Sequence, residues 1–445
     1  MADRYDAIVI GAGPAGEVCA GELAEGGMRV AIVERELVSG ECSFWACIPS
    51  KTLIRPGEAV QAAKEAPGAA EAVTGSIAVE KALEWRNFMV SDWDDSGQLP
   101  WLEQMGIDLY RGEGKIAGPG KVSVGDQTLE TDKIVIATGS APVFPPIDGL
   151  RDLDGLWTNR EVTGMQAVPA SAIVLGGGPV GVEMSQALAR FGCEVTLCEG
   201  AERVLPREAP SVGDAIAEAL EADGIDLRLG EHASAAERRG EGYALRFEKA
   251  ADAEGEKLVV ATGRRARADG IGLDTIGIEP GKQGVEVDER LRAGDNVWAI
   301  GDATGIMPFT HVGKYQARVA ARDMLGKEAR ADYRAVPRVV FSDPQAAAVG
   351  EQEGTATGTV PLAHVARTST YTRKYAEKPG FLTLVSDGSK LIGAYAVGPE
   401  AGEWLQQATL AIRAEVPLEV LRDTIQPFPT FSEAFVSALV DLDAS

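Results

Sequence analysis

Short aliphatic runs punctuate this chain, and each closes on glycine or on a small polar or acidic residue. Residues 7–10 predict a buried parallel strand, because their β-branched side chains leave neither face polar. An alanine-rich helix follows to about Glu25, and a second strand over 29–33 ends at Glu34. The same order returns at 172–175, with a helix through Arg190 and a strand over 194–198 ending at Glu199. Residues 133–137 and 297–300 predict further strands, and 259–263 repeats the pattern of 136–139. Helical patterning covers Thr52 to about Glu65, and 80–104 reads as another helix. Trp85, Phe88, Trp93 and Trp101 in that stretch read as core or interface rather than as a cofactor box. Pro142, Pro145 and Pro146 mark a linker. From Tyr333 onward the character changes. Short strands at 339–341, 381–385 and 391–397 precede helices at 401–415 and 418–423, which reads as a separate α+β domain.

The turns after the two leading strands carry chemistry. Gly11-Ala12-Gly13-Pro14-Ala15-Gly16 and Gly176-Gly177-Gly178-Pro179-Val180-Gly181 each sit between strand and helix. The first glycine allows the tight turn, the second lets backbone approach a pyrophosphate, and the third lets helix and strand pack closely. The helix N-terminus then faces the phosphates. Glu34 and Glu199, each ending its second strand, are placed to hydrogen-bond a ribose. Two such units imply two dinucleotides. Glu199 favours NAD(H), while Arg203 and Arg207 keep NADP(H) as an alternative.

Cys42 and Cys47 are separated by four residues in a helix-prone stretch opened by Gly40, with Lys51 beyond. Cys42 is expected near a helix start, where free N–H groups and the dipole lower a thiol pKa. Cys193 and Cys198 share that spacing but fall on a predicted strand, about 16 Å apart and on opposite faces, too far for a disulfide. They are expected to be structural thiols.

The 445 residues allow about three domains. A formal net charge of -24 argues against nucleic acid and anionic membrane as partners, since phosphate contacts need Lys and Arg. Five cysteines are too few and too odd a number for a disulfide scaffold. No apolar run reaches the ~18 residues of a membrane span, and no leader precedes the first strand. A cytoplasmic protein is expected, in which a cysteine pair is more often catalytic than structural.

In order and spacing these motifs resemble the flavin-dependent pyridine-nucleotide disulfide oxidoreductases, whose members include dihydrolipoyl dehydrogenase, glutathione reductase and mercuric reductase. The resemblance covers essentially the whole chain. It implies an α/β fold with two Rossmann-like domains and a C-terminal α+β dimerisation domain. FAD would bind 1–150 and 271–332, NAD(P) would bind 151–270, and 333–445 would form a homodimer. It makes Cys47 the charge-transfer thiol and Cys42 the interchange thiol, with Lys51 near the flavin and paired to Glu183. Asp302, after Gly301, would bind the ribityl chain, and Thr310 and His311 would lie near the pyrimidine edge of the flavin. Arg35, Gly40, Gly114, Thr138, Gly139 and Phe309 complete the flavin set, and Gly263 joins the second site.

One departure stands out. Members of the family usually end with His-Pro-Thr and a Glu a few residues later, the His being the acid/base. Here Phe428 precedes Pro429-Thr430, and Glu433 is kept. The chain has only three histidines, His232, His311 and His364. A branch that reduces a thioether, 2-ketopropyl-coenzyme M oxidoreductase/carboxylase, also has Phe there, but with His where this chain has Glu433. The reading is an FAD enzyme passing electrons from NAD(P)H through Cys42–Cys47 to an unidentified acceptor, weak toward ordinary disulfides. The alternatives are thioether cleavage, NAD(P)H oxidase or quinone reductase chemistry, and a redox-sensing module without turnover.

Overall fold

The computed structural model describes residues 3–377 and 380–442. The chain forms two compact units. The first gathers residues up to Pro49, Arg86–Val143 and Gly263–Asp332. The second gathers Ser50–Trp85, Phe144–Thr262 and the chain from Tyr333.

In the first unit, Val297–Ala299, Gln127–Ile136, Arg4–Ile10, Val30–Glu34 and Asp108–Arg111 lie side by side as a parallel sheet. Arg292–Gly294 adds an antiparallel edge, and Gly114–Gly118 with Lys121–Val124 extends the sheet as a meander. Ile8, Ile32, Ile134 and Ile136 are almost fully buried, as a sheet covered on both faces requires. Helix Pro14–Glu25 returns from the Arg4–Ile10 strand. Gly11 has φ 107°, and a Cβ there would collide with the carbonyl of Ala137. A Cβ on Gly16 would strike the Gly11 carbonyl, so the helix can start this close to its strand only with glycine at both places.

The second unit repeats the device. Asp226–Leu229, Glu194–Glu199, Ser171–Leu175 and Lys257–Val260 form a four-stranded parallel sheet, with helix Pro179–Arg190 following the third of these. Gly176 and Gly181 would meet the carbonyls of Ala261 and Gly176, as Gly11 and Gly16 do in the first unit. A three-stranded antiparallel sheet spans Ala233–Gly255 in the same unit, and a five-stranded antiparallel sheet lies between Pro337 and Gly398. The expected α/β class with two glycine-turn nucleotide folds and a later α+β region is what the chain adopts.

Cys42 is the third residue of the one-turn helix Gly40–Phe44, near a helix start as expected. Three expectations need correcting. The long helix runs Cys47–Glu65, so Cys47 holds its first position and the start is earlier than Thr52. The stretch 80–104 is two helices, Val79–Met89 and Leu99–Met105, parted where Ser91, Asp92 and Trp93 take positive φ. Likewise the helix expected over 401–415 breaks into Ala401–Trp404 and Gln406–Arg413. Apolar periodicity reports which face is buried, and it is blind to a local turn between two stretches of the same period.

Candidate active site

Cys42 and Cys47 form a disulfide, with Cα atoms 4.7 Å apart. The short helix followed at once by the long one brings two residues five apart to bonding distance, which a strand cannot do. Cys193 and Cys198 stay free and buried, as does Cys19. Burial pushes the thiols of Cys193 and Cys198 up to about 12, and that of Cys19 further. At neutral pH they are inert thiols.

Both sulfurs of the disulfide meet one hydroxyl. Thr310, first residue of helix Thr310–Met324, lies 3.2 Å from Cys42 Sγ and 3.3 Å from Cys47 Sγ through its Oγ1. The neighbouring rings of Phe309 and His311 stack with centroids 5.2 Å apart. Next to Cys42 in the chain, Glu41 pairs with Arg267 at 3.6 Å and Arg264 at 3.7 Å. Arg264 also donates to the Ser140 hydroxyl at 2.8 Å, and Ser140 donates to Asp302 at 2.5 Å. Thr138 donates to the Arg267 carbonyl at 2.5 Å, and the Gly139 carbonyl accepts from the Arg267 N–H. Sequence reasoning misses Glu41, Ser140, Arg264 and Arg267. The only signal for them is their adjacency to Cys42 and to the two Thr-Gly turns.

The same unit carries the first glycine turn. Pro14 opens the helix, and a Cβ on Gly13 would meet nothing within 4 Å. Gly40, with φ 59°, comes so close to Gly13 that its Cβ would lie 2.9 Å from the Gly13 Cα. Ala15 touches the positions of both Gly301 and Gly313. Glu34 braces the turn, accepting the Ala12 and Glu36 N–H groups at 2.8 Å each. Its remaining lone pairs can take a ribose hydroxyl. An open helix N-terminus, a carboxylate beside it and Asp302 in the same unit fit an extended dinucleotide such as FAD. Arg35 is exposed and lies 3.8 Å from Glu36, whereas Gly114 is buried against Ile10 and Val33.

In the second unit Gly178 is open and Pro179 starts the helix, with Val180 and Gly181 in its first turn. Glu199 repeats Glu34, accepting from Gly177 at 2.6 Å and Ala201 at 2.8 Å. Arg203 is tied to Asp214 at 2.8 Å. Gly263 belongs to the first unit, where its carbonyl accepts the Val143 N–H. Lys51 meets Glu183 at 2.6 Å, and the Glu183 side chain is only 6% exposed. The other Glu183 oxygen takes the Phe341 N–H at 3.0 Å, and the Lys51 ammonium lies 4.7 Å from the Phe341 ring centroid. Phe341 is a member of this group that the sequence does not disclose. Near the C-terminal end, Phe428 is 75% exposed. The Glu433 carboxylate accepts the Thr430 N–H at 3.3 Å in a capping box, so it is engaged by backbone.

Among the described residues no cluster could hold a metal ion and no helix is long and apolar enough to cross a membrane. A profile described as pyridine nucleotide-disulphide oxidoreductase matches residues 5–320, and one for that family's dimerisation domain matches 336–439. The chain is 32% identical over 456 residues to a mercuric reductase of Staphylococcus aureus, covering 99% of this chain and 82% of that one. It is also 32% identical over 452 residues to a dihydrolipoyl dehydrogenase of Thermus scotoductus, covering 98% and 96%. Among solved structures it is similar to the HOCl-induced flavoprotein disulfide reductase RclA of Escherichia coli, with TM-score 0.86, 27% identity and coverage of 98% and 99%. With both nucleotide folds and the domain after them inside the match, and relatives aligned over nearly all of this chain, it belongs to the pyridine nucleotide-disulphide oxidoreductases, FAD-dependent enzymes that use a pyridine nucleotide.

Proposed function

We propose that this enzyme takes electrons from NADH through FAD into the Cys42–Cys47 disulfide and delivers them to an acceptor other than a simple dithiol disulfide. The observation that carries the reading is Phe428 at the place of the acid/base histidine, with Glu433 engaged by the backbone of Thr430. FAD would span 1–150 and 271–332, NAD(H) would occupy 151–270, and 333–445 would join two copies.

Bound FAD supplies the centre that accepts hydride and passes two electrons to the disulfide. The residues of the chain do the rest. Opening the disulfide leaves Cys47 as a thiolate at the first position of a 19-residue helix, where unsatisfied N–H groups and the dipole favour negative charge. Cys42 takes up one proton and becomes the interchange thiol. Thr310 can donate to whichever sulfur carries charge. Lys51 is held by the buried Glu183 and by the Phe341 ring, which keeps its positive charge in place. Glu199 disfavours a 2′-phosphate, and Arg203 is already committed to Asp214.

Returning electrons to a disulfide substrate needs a proton held near Cys42 and given to the departing sulfur. A histidine with pKa near 6.5 does this, and such help contributes about 10²–10⁴ in rate. A phenyl ring carries no proton. Wild type and Phe428→His should be compared with lipoamide and glutathione disulfide, with NADH and with NADPH as donors. The expected outcome is slow wild-type turnover that prefers NADH and rises by at least about tenfold in the variant. Fast wild-type turnover with no gain in the variant would reject the reading.

A further inference from the structure

The turn between the two helices that replace the expected 80–104 helix has an uncommon backbone. Ser91, Asp92 and Trp93 have φ of 49°, 49° and 59°. Residues other than glycine seldom enter this left-handed region, and three in succession persist only where the surroundings hold them there. What they hold in return is the segment that carries Cys42. The Trp93 indole N–H donates to the Phe44 carbonyl at 3.2 Å. Two residues on, the buried Asp95 accepts the Val38 N–H at 2.7 Å and pairs with Arg111 at 2.7 Å. Segment 91–95 therefore grips residues 38–44 at both ends. Between the grips lie Ser39 and Gly40, themselves at φ 83° and 59°, then Glu41 and Cys42. Behind the clip, the fully buried Arg86 sets its guanidinium 5.2 Å from the Trp93 ring centroid. Both ends of this arrangement lie in the first unit.

We propose that Trp93 and Asp95 form a clip that positions Cys42 for closure on Cys47, which makes Trp93 a positioning residue for the disulfide. The inference rests on the reading that this disulfide carries the electrons. The physical argument concerns effective concentration. Closure joins Cys42 and Cys47 with loss of two electrons and two protons to the oxidant. Its equilibrium depends on how often the Cys42 sulfur sits within reach of Cys47 in the reduced state. A segment pinned at Val38 and Phe44, with the one-turn helix Gly40–Phe44 inside it, samples few conformations. Releasing the Phe44 carbonyl lets the segment carrying Cys42 swing, so the open dithiol gains freedom and the disulfide becomes easier to reduce.

The test uses the flavin-loaded enzyme equilibrated anaerobically in dithiothreitol redox buffers, where oxidised dithiothreitol takes the two electrons and two protons. Alkylation and mass spectrometry then give the fraction of Cys42 and Cys47 reduced. Trp93→Phe keeps a ring over Arg86 but removes the N–H donor. Trp101→Phe, in the same unit and packed over Gly21, is the control. We expect Trp93→Phe to shift the dithiol–disulfide equilibrium toward reduction by roughly threefold to tenfold, the range one net hydrogen bond supports, with Trp101→Phe unchanged. An unmoved equilibrium in Trp93→Phe would overturn the proposal, and so would an equal shift in Trp101→Phe, which would mean general loosening. Turnover plays no part in this measurement. Full NADH-dependent turnover of Cys42→Ser would instead reject the electron-carrying reading and leave the clip to stand or fall on its own equilibrium.

Discussion

Thr310 touches both sulfurs, and its chemistry is testable without knowing the acceptor. When the disulfide opens, its hydroxyl at 3.2 and 3.3 Å from the two sulfurs can donate to a thiolate. A hydrogen bond to a charged group contributes about 1.5–3 kcal/mol, which is roughly one to two units of thiol pKa. Thr310→Val should raise the pKa governing alkylation of the reduced pair by about that amount. Losing a donor to the charged form favours the neutral thiol, so labelling near pH 7 slows. A pH profile of iodoacetamide labelling of the reduced enzyme measures it, and an unchanged profile would show the hydroxyl to be idle. In the same experiment Cys193 and Cys198, pushed to about 12 by burial, should remain unlabelled through pH 8. The family resemblance marks Thr310 as a neighbour of the flavin. Its reach to the sulfurs is not legible in the sequence, because it comes from 268 positions away from Cys42.

At the scale of elements, the strand–turn–helix units are the readable part. Glycine spacing encodes a steric fact that holds locally: helix Pro179–Arg190 can begin against its own strand only if position 181 has no side chain. Gly181→Ala would drive a methyl into the Gly176 carbonyl, and overpacking of this kind costs about 1–3 kcal/mol. The helix must slide, taking with it the N-terminal turn and Glu183. KM for NADH should rise roughly five- to a hundredfold by that cost, while bound flavin stays at the wild-type level because the first unit is untouched. Steady-state kinetics beside flavin content on denaturation checks this, and an unchanged KM would mean that the close approach does not shape the nucleotide site. The broken helix at 91–93 is not readable, since Asp92 and Trp93 are ordinary residues forced into left-handed backbone by partners elsewhere in the fold.

For the whole molecule, the residues left uncovered are informative. Ile425 is 94% exposed and Val440 67%, as is Phe428 at 75%, all in or next to the stretch that matches the family's dimerisation domain. Apolar side chains of this size gain about 1.5–3 kcal/mol each when fully buried. The wild type should run as a dimer in light scattering, and Ile425→Asp/Val440→Asp should dissociate at concentrations at least about a hundredfold higher. A double variant as tightly dimeric as wild type would place the interface elsewhere. By itself the sequence determined the two glycine-turn nucleotide folds, the cysteine pair on helical backbone and the absence of a histidine before Pro429. Each comes from short-range sterics or from plain residue identity, which need no knowledge of packing. Only the tertiary structure decided that Thr310 spans both sulfurs, that Trp93 and Asp95 grip the Cys42 segment, that Phe341 completes the Lys51–Glu183 pair and that Asp302 is bound by Ser140. These join residues far apart along the chain, and their meeting is set by how sheets and helices stack, for which no local pattern carries a signature.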